Sequence, residues 1–432
     1  MRRQRLEAAV PAGSDPRRHA RVLAQVYCAT LAGQAPPALP RRVIDASWRR
    51  VRGYGVDPDR GGGAVPLRYE EVEHRRRDSL IGEVLDTLRH GLAGVAHDAS
   101  QIMVVTDGEG RVLWREGSSA VRRRADRLGF VEGASWREET VGTNAIGTAL
   151  AVRRPIQVYS AEHYVRTHHA WTCAAAPVHD PRSGRLIGIA DVSGPAATIH
   201  PNTLALVDAV ARLAEAELRT LHHRDLERLR AVAAPVVARP GGPVLVVDPH
   251  GWVAAASGCE PVARLPVPDV VDAGGVWLPS LGTCVMEPLP GGWIVRPDPA
   301  GEQPATRVRL DLRSAASPTV TLSGPSGSWH HRLSPRHAEI LLLLACRQEG
   351  RTATELAGDL FGDPTRTVTV RAEMSRLRRH LGGVLCHRPY RFHDRAEVEV
   401  AWPADPADLL PASDAPAVRR LRAVTGQPGT GV

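Results

Sequence analysis

The sequence predicts a multidomain α+β chain, in which an antiparallel sheet flanked by helices precedes a small β-rich module and a compact helical domain. Three observations support this prediction. Residues 101–115 read as a strand hairpin, residues 171–192 as two more strands joined by a tight turn, and residues 369–381 carry apolar side chains at helical spacing. This mixed order of hairpin, meander and helix favours an antiparallel sheet with helices beside it.

Length and charge limit the classes of protein to be considered. A chain of 432 residues is expected to hold about two to four domains. The net charge of +8 and the pI of about 9.7 are compatible with a nucleic-acid partner. All 55 basic residues are Arg, so the lysine that P-loop ATPases, protein kinases and pyridoxal enzymes require is absent. These three classes are therefore excluded for this chain.

The cysteines and the hydropathy of the sequence indicate the cellular compartment of the protein. The first residues lack the apolar segment of a signal peptide, and the longest strongly apolar run, Ile340–Cys346, is far shorter than a membrane span. The cysteines form no CxxC pair; they are Cys28, Cys173, Cys259, Cys284, Cys346 and Cys386. We therefore expect a soluble protein of a reducing cytoplasm, with no membrane partner.

The first part of the chain predicts helices and then strands. Pro16–Leu31 and Pro40–Val51 are expected to be helices. Gln101–Thr106 and Arg111–Arg115 are expected to be strands that pair across a turn with two glycines. Val141–Val152 is expected to be one further helix.

Strands and a long helix follow. The predicted strands are Pro155–Ser160, Trp171–Val178 and Leu186–Val192, and the turn between the last two contains Pro and Gly in favourable places. Pro201–Leu229 is predicted to be one long helix without a clean heptad pattern. Two interpretations of this helix are open, a contact in a homodimer and ordinary packing on the core.

Residues 230–300 predict a smaller β-rich module. Pro243–Ala256 repeats the strand–turn–strand pattern of residues 101–115, and short apolar runs follow from Gly275, Cys284 and Gly292. The module resembles a small PAS domain. A second sensor and a structural spacer are both open interpretations.

The C-terminal part predicts three helices. Ser334 and Pro335 provide an N-cap and a first helical residue for an apolar helix that ends before Gly350. A short helix follows from Thr352 to Phe361. In the third helix one apolar stripe is expected to face the core; it contains Val370, Met374, Leu377 and Leu381.

The third helix is also strongly basic. From Pro364 to Phe392 there are seven Arg and one acidic residue, Glu373. A core-anchored helix with a basic flank, followed by a short aromatic and basic strand, is how small domains present a helix to a DNA groove. A solvated basic helix without a partner is the alternative interpretation.

Several motifs lie between residues 40 and 220: Ser47–Arg50, Gly55–Pro58, Val141–Leu150, His169–Cys173 and Ala176–Pro181. Together they resemble the GAF sensor domain of acetoin-catabolism regulators and their actinobacterial relatives. Many members of that family continue into an ATPase that remodels RNA polymerase. This chain has neither the lysine nor the phosphate loop that such an ATPase needs.

The resemblance to a GAF domain implies a small-molecule site between the sheet and a covering helix or loop. The candidate lining residues are Asn144, Thr148, His163, His168, His169, Trp171 and Cys173. A group of three His and one Cys also permits a metal or haem interpretation, but the spacing matches no known metal pattern. We therefore expect no metal and no cofactor, and we expect these residues to pack and hydrogen-bond around a pocket, with Cys173 as a small buried residue.

C-terminal motifs, including Leu333–Pro335, Leu360–Gly362 and Tyr390–Phe392, resemble the winged-helix output domain of response regulators of the OmpR/PhoB class over about 85 residues. The resemblance puts the third helix in the major groove of DNA. The candidate contacts to bases or phosphates are Thr367, Thr369, Arg371, Ser375, Arg378, Arg379, Arg388 and Arg391. Arg388–Pro389 stands where that class carries glycines in its wing, and no receiver domain is apparent.

Five segments follow from these motifs. They are an N-terminal helical segment (1–78), the GAF sensor (79–222), a linker and β-rich module (223–304), the winged helix (305–400) and a flexible tail (401–432). The predicted function is a ligand-responsive regulator of transcription, not an enzyme, that acts as a homodimer on double-stranded DNA, with RNA polymerase as a further candidate partner. The alternatives are an RNA-binding antiterminator and a GAF-type thiol reductase.

Overall fold

The structure is a computed structural model. The chain divides into two compact units, unit 1 (Met1–His222) and unit 2 (His223–Val432). The residues that the structure describes are 6–11, 13–61, 65–239, 241–259, 262–265, 267, 276–278, 281–298, 306–314, 317–324, 327–381, 384–394 and 396–425.

Unit 1 begins with helices. Those that precede its sheet are α1 (Pro16–Leu31), α2 (Arg42–Gly53), α3 (Tyr69–Asp78) and α4 (Leu85–Asp98). The side chain of Asp15 caps α1 by accepting a hydrogen bond from the backbone N–H of Arg17, and Pro16 lies in the first turn. The predicted helix Pro16–Leu31 is confirmed.

An antiparallel sheet of five strands forms the centre of unit 1, in the order β2-β1-β5-β4-β3. The strands are β1 (Ile102–Asp107), β2 (Val112–Gly117), β3 (Ile156–Tyr159), β4 (Trp171–His179) and β5 (Leu186–Pro195). The helices between β2 and β3 are α5 (Ser119–Asp126), α6 (Glu138–Val141) and α7 (Ala145–Val152). Each strand lies where the sequence predicted one.

The two faces of this sheet are covered by different elements, because side chains alternate along each strand. We call the inner face the side that carries Val104 and Cys173, which share a core with α1, α2 and the segment from α5 to α7. The outer face carries Met103 and Ala174, which pack against α4 and the first half of α8 (Pro201–Val237).

The N-terminal helices are part of the core of unit 1. Val26, Tyr27, Ile44 and Trp48 are almost fully buried in the same cluster as the inner face of the sheet. The segment 1–78, predicted as an N-terminal helical segment, thus contributes helices to the core of unit 1. The physical reason is that the apolar stripes of α1 and α2 have to be buried, and the inner face provides the surface that buries them.

The helix α8 is longer than predicted. It was expected over Pro201–Leu229, and it continues to Val237 with Pro235 in its last turn. Its first half packs on the outer face of the unit 1 sheet, while Leu229 and Ala233 pack within unit 2. No helix in the described ranges, α8 included, is long and apolar enough to cross a membrane.

Unit 2 begins with a second antiparallel sheet. Its strands are β6 (Val244–Val247), β7 (Val253–Ser257), β8 (Val276–Leu278), β9 (Gly282–Leu289) and β10 (Gly292–Pro297). Their order is β7-β6-β10-β9-β8, which repeats the relative order of the first sheet. We call these strands, the described residues between them and the last turns of α8 the β-module. Its predicted end at residue 304 lies outside the described residues.

The C-terminal part of unit 2 combines a sheet with helices and a hairpin. Its sheet has the order β13-β12-β11-β16, in which β11 and β16 are parallel. The strands and helices are β11 (Thr306–Asp311), β12 (Thr319–Gly324), β13 (Gly327–Arg332), α9 (Pro335–Ala345), α10 (Ala353–Phe361), α11 (Thr367–Leu381), β14 (Leu385–His387), β15 (Tyr390–Phe392) and β16 (Ala396–Ala401). The strands β14 and β15 form the hairpin.

The segment after β16 is folded as far as it is described. It ends in α12 (Pro416–Thr425), and Leu409, Leu410 and Val418 are buried in the core that α9, α10 and α11 share. The prediction of a flexible tail over residues 401–432 is corrected for residues 401–425. These apolar side chains lie among many Pro and Ala residues, a composition that hid their contribution to the core.

Candidate functional site

Asn144 begins α7 in the inner part of unit 1. Its Oδ1 accepts a hydrogen bond from the N–H of Gly147 at 2.9 Å, and its Nδ2 donates to the carbonyl oxygens of Trp136 and Gly142 at 3.0 and 2.8 Å. Gly142 has φ +72°, a conformation that favours glycine. The predicted helix Val141–Val152 is therefore two helices, α6 and α7, with this turn between them.

Thr148 belongs to a buried polar network around Glu138. The carboxylate of Glu138 accepts hydrogen bonds from Thr148 Oγ1 at 2.8 Å and from Ser47 Oγ at 2.5 Å. Arg50 donates to both carboxylate oxygens, at 2.7 and 2.8 Å. The network joins α2 to α6 and α7, so two of the motifs that carried the resemblance to a sensor meet in one cluster.

The histidines form a second cluster beside the sheet. His163 Nδ1 lies 3.0 Å from the carbonyl oxygen of Ser160, and its Nε2 lies 3.4 Å from Cys173 Sγ. The rings of His163 and His168 are 6.1 Å apart, and His169 Nε2 is 3.1 Å from the carbonyl oxygen of His163. Four of the predicted ligand-binding residues are therefore brought together.

Burial keeps these histidines uncharged at neutral pH. It lowers the pKa of His163 to about 3 and the pKa of His168 to about 4. Burial also lowers the pKa of His169. Neutral imidazoles hydrogen-bond without attracting a counter-ion, which suits an uncharged environment.

Cys173 and Trp171 lie on β4 and face the same side of the sheet. Burial raises the pKa of the Cys173 thiol well above its ordinary value, so it stays protonated and is a poor nucleophile. Trp171 is buried, and the guanidinium of Arg124 lies 5.6 Å from the centre of its ring. The expectation that Cys173 is a small buried residue agrees with this position.

Three buried polar residues of unit 1 were not among the predicted site residues: Arg115, Trp136 and Asp191. Each has a side-chain nitrogen or oxygen without a hydrogen-bond partner. Asp191 is fully buried on the inner face, where its Oδ2 accepts a hydrogen bond from Ser193 Oγ at 2.6 Å. An acidic residue inside the apolar strand pattern of residues 186–192 is the sequence signal that identifies it.

The predicted stripe of α11 is confirmed. Its members are almost completely buried, and they are Val370, Met374, Leu377 and Leu381. The stripe fixes the helix to the core. Thr369, Arg371 and Ser375 lie beside the stripe and are exposed.

The remaining predicted DNA-binding residues differ in their surroundings. Thr367 and Arg378 are half-buried, and Arg388 is exposed. Arg391 forms an ion pair with Asp394. The side chain of Arg379 lies outside the described residues. Thr367, Thr369, Arg371, Ser375 and Arg378 therefore share α11, while Arg388 and Arg391 lie at or next to the hairpin.

A cleft of about 1430 Å³ lies beside α11 within unit 2. The residues of α11 that line it are Arg371, Met374, Ser375 and Arg378. The residues of the β-module segment that line it are Cys259, Val262, Ala263 and Leu281. Four of the predicted DNA-binding residues thus line the cleft that the β-module shares with α11: Arg371, Ser375, Arg378 and Arg388.

Comparison with known proteins identifies a family and several relatives. Residues 17–215 match the family described as the MimR N-terminal domain. An uncharacterized 47.3 kDa protein from the thcA 5′ region of Rhodococcus erythropolis is 30% identical over 397 residues, which cover 88% of this chain and 73% of that protein. The chain belongs to the family of this protein.

Relatives with named functions match a shorter part of the chain. AcoR of Bacillus subtilis, the acetoin dehydrogenase operon transcriptional activator, is 36% identical over 179 residues, 41% of this chain and 29% of AcoR. MimR of Mycolicibacterium smegmatis, the propane 2-monooxygenase operon transcriptional activator, is 32% identical over 189 residues, 44% of this chain and 31% of MimR. The match thus spans less than a third of either activator. Their names agree with the predicted regulatory, non-enzymatic class.

Proposed function

We propose that this chain is a ligand-responsive regulator of transcription, in which unit 1 senses a small molecule and the C-terminal part of unit 2 binds double-stranded DNA. The observation that carries the proposal is the arrangement of α11. Its apolar stripe is buried, while Thr369, Arg371 and Ser375 beside the stripe are exposed. A rigidly held helix with an outward arginine and small hydroxyl side chains fits the major groove.

The elements around α11 support a winged-helix assignment. The helices α9 and α10 pack with α11 in one core, and the hairpin β14–β15 follows α11 directly. In this arrangement Arg388 and Arg391, at or next to the hairpin, would meet the phosphate backbone or the adjacent groove. The short strands leave only a small wing.

The sensing role of unit 1 rests on its fold and its relatives. The region matched by the MimR N-terminal domain covers the helices α2–α7 and the whole sheet. Two relatives of the chain are named as activators of operons for acetoin dehydrogenase and propane 2-monooxygenase. We propose that unit 1, as a GAF-type domain, binds a small organic effector, with His163, His168, His169 and Cys173 near the site.

The DNA-binding species is proposed to be a homodimer, because two half-sites joined in one protein raise affinity and specificity together. The helix α8 is the candidate contact, since Leu213 is 57% exposed on it although the opposite side of the helix is buried. RNA polymerase is a further candidate partner if the protein activates transcription.

The two alternative functions differ from this proposal in what they require. A thiol reductase needs a reactive thiolate, and the burial that raises the pKa of Cys173 opposes one. An RNA-binding antiterminator of the kind considered has an all-helical output, whereas the C-terminal part of unit 2 contains a four-stranded sheet and a hairpin.

The test is selection of bound sites from random duplex DNA by the full-length protein, followed by affinity measurements on the best site. Arg371→Ala and Arg378→Ala are each expected to weaken binding by about 1–3 kcal/mol if the side chains read bases. Loss of affinity that is equal on all sequences, with a smaller dependence on salt, would assign the residue to a phosphate contact instead.

Arg307→Ala is the matched control. It removes the same charge from an exposed side chain on β11, where the nearest carboxylate is Glu397 at 3.9 Å. It should leave specific affinity within about twofold. Failure to bind any duplex at low ionic strength would overturn the proposal, and preference for a structured RNA would favour the antiterminator.

A further inference from the structure

The second residue of α11 is an exposed valine. Val368 is 75% exposed, whereas the next valine, Val370, is fully buried in the core. A helix has about 3.6 residues per turn, so Val368 lies about 150° around α11 from the centre of the buried stripe. Ala372, one turn further along, is exposed on the same side. The side of α11 that faces away from the core therefore carries two apolar side chains in line.

A gain in helix stability does not explain the valine. The branched Cβ restricts the side chain in a helix, and valine forms helices less well than alanine or arginine. An exposed apolar side chain also gains little from the hydrophobic effect, which acts only on surface that is removed from water. Val368 therefore contributes more when a partner covers its side chain.

The backbone around Val368 is held in place by neighbouring contacts. Asp363 accepts hydrogen bonds from the backbone N–H of Thr365 at 2.9 Å and from its Oγ1 at 2.7 Å, which fixes the turn before the helix. The guanidinium of Arg366 lies 4.4 Å from the centre of the Phe361 ring. The stripe that follows is buried in the core. The side chain of Val368 is thus presented from a fixed first turn.

The surroundings of Val368 are basic. Arg366 precedes it and Arg371 follows about one turn later, and both side chains are exposed. Glu373 is the one acidic residue in the sequence of α11, and its carboxylate lies 3.2 Å from His337 of α9. An exposed apolar strip between arginines suits a polyanion that carries apolar groups between its charges.

The major groove of DNA has these properties. Phosphates run along both of its edges, and the C5-methyl group of thymine is the apolar group that its base pairs present. A valine that displaces water beside guanine or adenine leaves polar edge atoms without a hydrogen-bond partner, whereas beside a thymine methyl group it buries apolar surface on both partners. The first residues of a recognition helix are those that contact base edges, and Val368 lies at this end of α11.

We propose that Val368 contacts the C5-methyl group of a thymine in the major groove and thereby sets part of the sequence preference of α11. This rests on the proposed function, in which the C-terminal part of unit 2 binds double-stranded DNA. The predicted DNA contacts on this helix are hydroxyl and arginine side chains, which hydrogen-bond to bases or phosphates. Val368 adds a contact of a different kind, which selects a base by its methyl group.

The test compares thymine with deoxyuridine, which lacks only the C5-methyl group. The best site from the selection on random duplex DNA is made in versions that each carry deoxyuridine in place of one thymine. The full-length protein is expected to bind at least one of these versions about fourfold more weakly, the value of one buried methyl group. Affinities are measured by duplex titration at one fixed salt concentration.

Substitutions at position 368 assign the effect. Val368→Ala removes both γ-methyl groups and should bind the thymine and deoxyuridine versions within about 1.5-fold of each other, as a double-mutant cycle measures. Alanine is a better helix former than valine and the side chain is exposed, so the variant is expected to fold as the unchanged protein does. Val368→Ile keeps an apolar branched side chain and should retain a loss of about threefold or more on deoxyuridine.

The matched control is Val95→Ala. Val95 is 51% exposed on α4 of unit 1, so the same substitution on another helix surface should leave the difference of about fourfold unchanged. A selected site without thymine would overturn this inference, as would equal binding of every deoxyuridine version by the unchanged protein or the same difference in Val368→Ala. Specific duplex binding in these cases leaves the proposed function standing, whereas failure to bind any duplex rejects the proposed function itself.

Discussion

Three buried residues in the core of unit 1 have pKa values far from their ordinary values. Burial lowers the pKa of His163 to about 3 and the pKa of His168 to about 4. Burial raises the pKa of Asp191 to about 8. All three groups are mainly neutral at neutral pH, and their protonation is therefore linked to folding in opposite directions.

The first prediction concerns the pH dependence of stability. Each histidine has a pKa in the folded state below its unfolded value of about 6.5. Its contribution to the free energy of unfolding is therefore lost as the pH falls, by about 2 kcal/mol at about pH 5. Asp191 has a folded pKa above its unfolded value, so folding gains about 3 kcal/mol from it between about pH 7 and about pH 5. The two effects partly cancel.

Asp191→Asn should remove this gain. The variant is expected to lose about 3 kcal/mol more stability than the unchanged protein on acidification from about pH 7 to about pH 5, measured by urea unfolding at both pH values. Asp86→Asn is the control, because the side chain of Asp86 is 86% exposed and should leave the slope unchanged. A parallel slope for Asp191→Asn would show that this carboxyl group is not held neutral.

Helices and strands of unit 1 are joined by a few buried polar contacts. Glu138 ties α6 to α2 through Ser47 and Arg50 and to α7 through Thr148. A second pair, Arg41 with Glu162 at 2.7 Å, joins the start of α2 to the turn after β3. The N-terminal helices are therefore held by specific bonds as well as by their apolar stripes.

The second prediction is that Glu138→Ala destabilises unit 1 by about 3 kcal/mol or more, because it leaves Arg50, Ser47 and Thr148 without their buried acceptor. Glu139→Ala is the matched control. Its side chain is 42% exposed and pairs only with Arg137 among the described contacts, so the cost should stay near 0.5 kcal/mol or below. Equal costs in thermal or urea unfolding would deny Glu138 this role.

At the scale of helices and strands, local features could be predicted from the sequence and long-range packing could not. The hairpin of β1 and β2 was predicted because the turn that begins at Asp107 has a local sequence pattern. Asp107 accepts hydrogen bonds from the backbone N–H groups two and four positions on, and Asp248 does the same in the turn between β6 and β7. The burial of α1 and α2 against a sheet far along the chain is a long-range fact. No local period in the sequence encodes it.

The same limit applies to the candidate site. The cluster of His163, His168 and Cys173 was predicted through a resemblance, and these residues do meet. Arg115 and Trp136 were missed because each sits in a segment that reads as ordinary core or surface. Only the strand register that aligns Arg115, Val104 and Asp191 brings the side chains of Arg115 and Asp191 onto one face.

The chain as a whole repeats one strand order in two sheets before it reaches the basic helix. The second sheet belongs to the β-module, which shares a cleft with α11. Arg371, Ser375 and Arg378 line that cleft, and they are among the residues proposed to meet DNA. If α11 enters a major groove, which is about 12 Å wide, the β-module has to move away before a duplex can bind.

The third prediction follows from this arrangement. Cys259 lies on the β-module wall of the cleft and Ser375 on the α11 wall. In a background in which Cys28, Cys346 and Cys386 are replaced by Ser, Ser375→Cys should allow a cleavable bis-maleimide to join positions 259 and 375. The joined protein is expected to lose at least about tenfold in duplex affinity, and cleavage of the linker should restore it, since only the closed cleft blocks the helix.

A variant that also carries Cys259→Ser provides the control, because the reagent can then attach to position 375 without bridging the cleft. Affinity is measured by duplex titration before and after cleavage. If the bridged protein binds DNA as well as the control, the cleft does not cover the DNA-binding side of α11, and movement of the β-module plays no part in binding. If bridging abolishes binding reversibly, the regulated step is the opening of this cleft, which an effector on unit 1 would then have to favour.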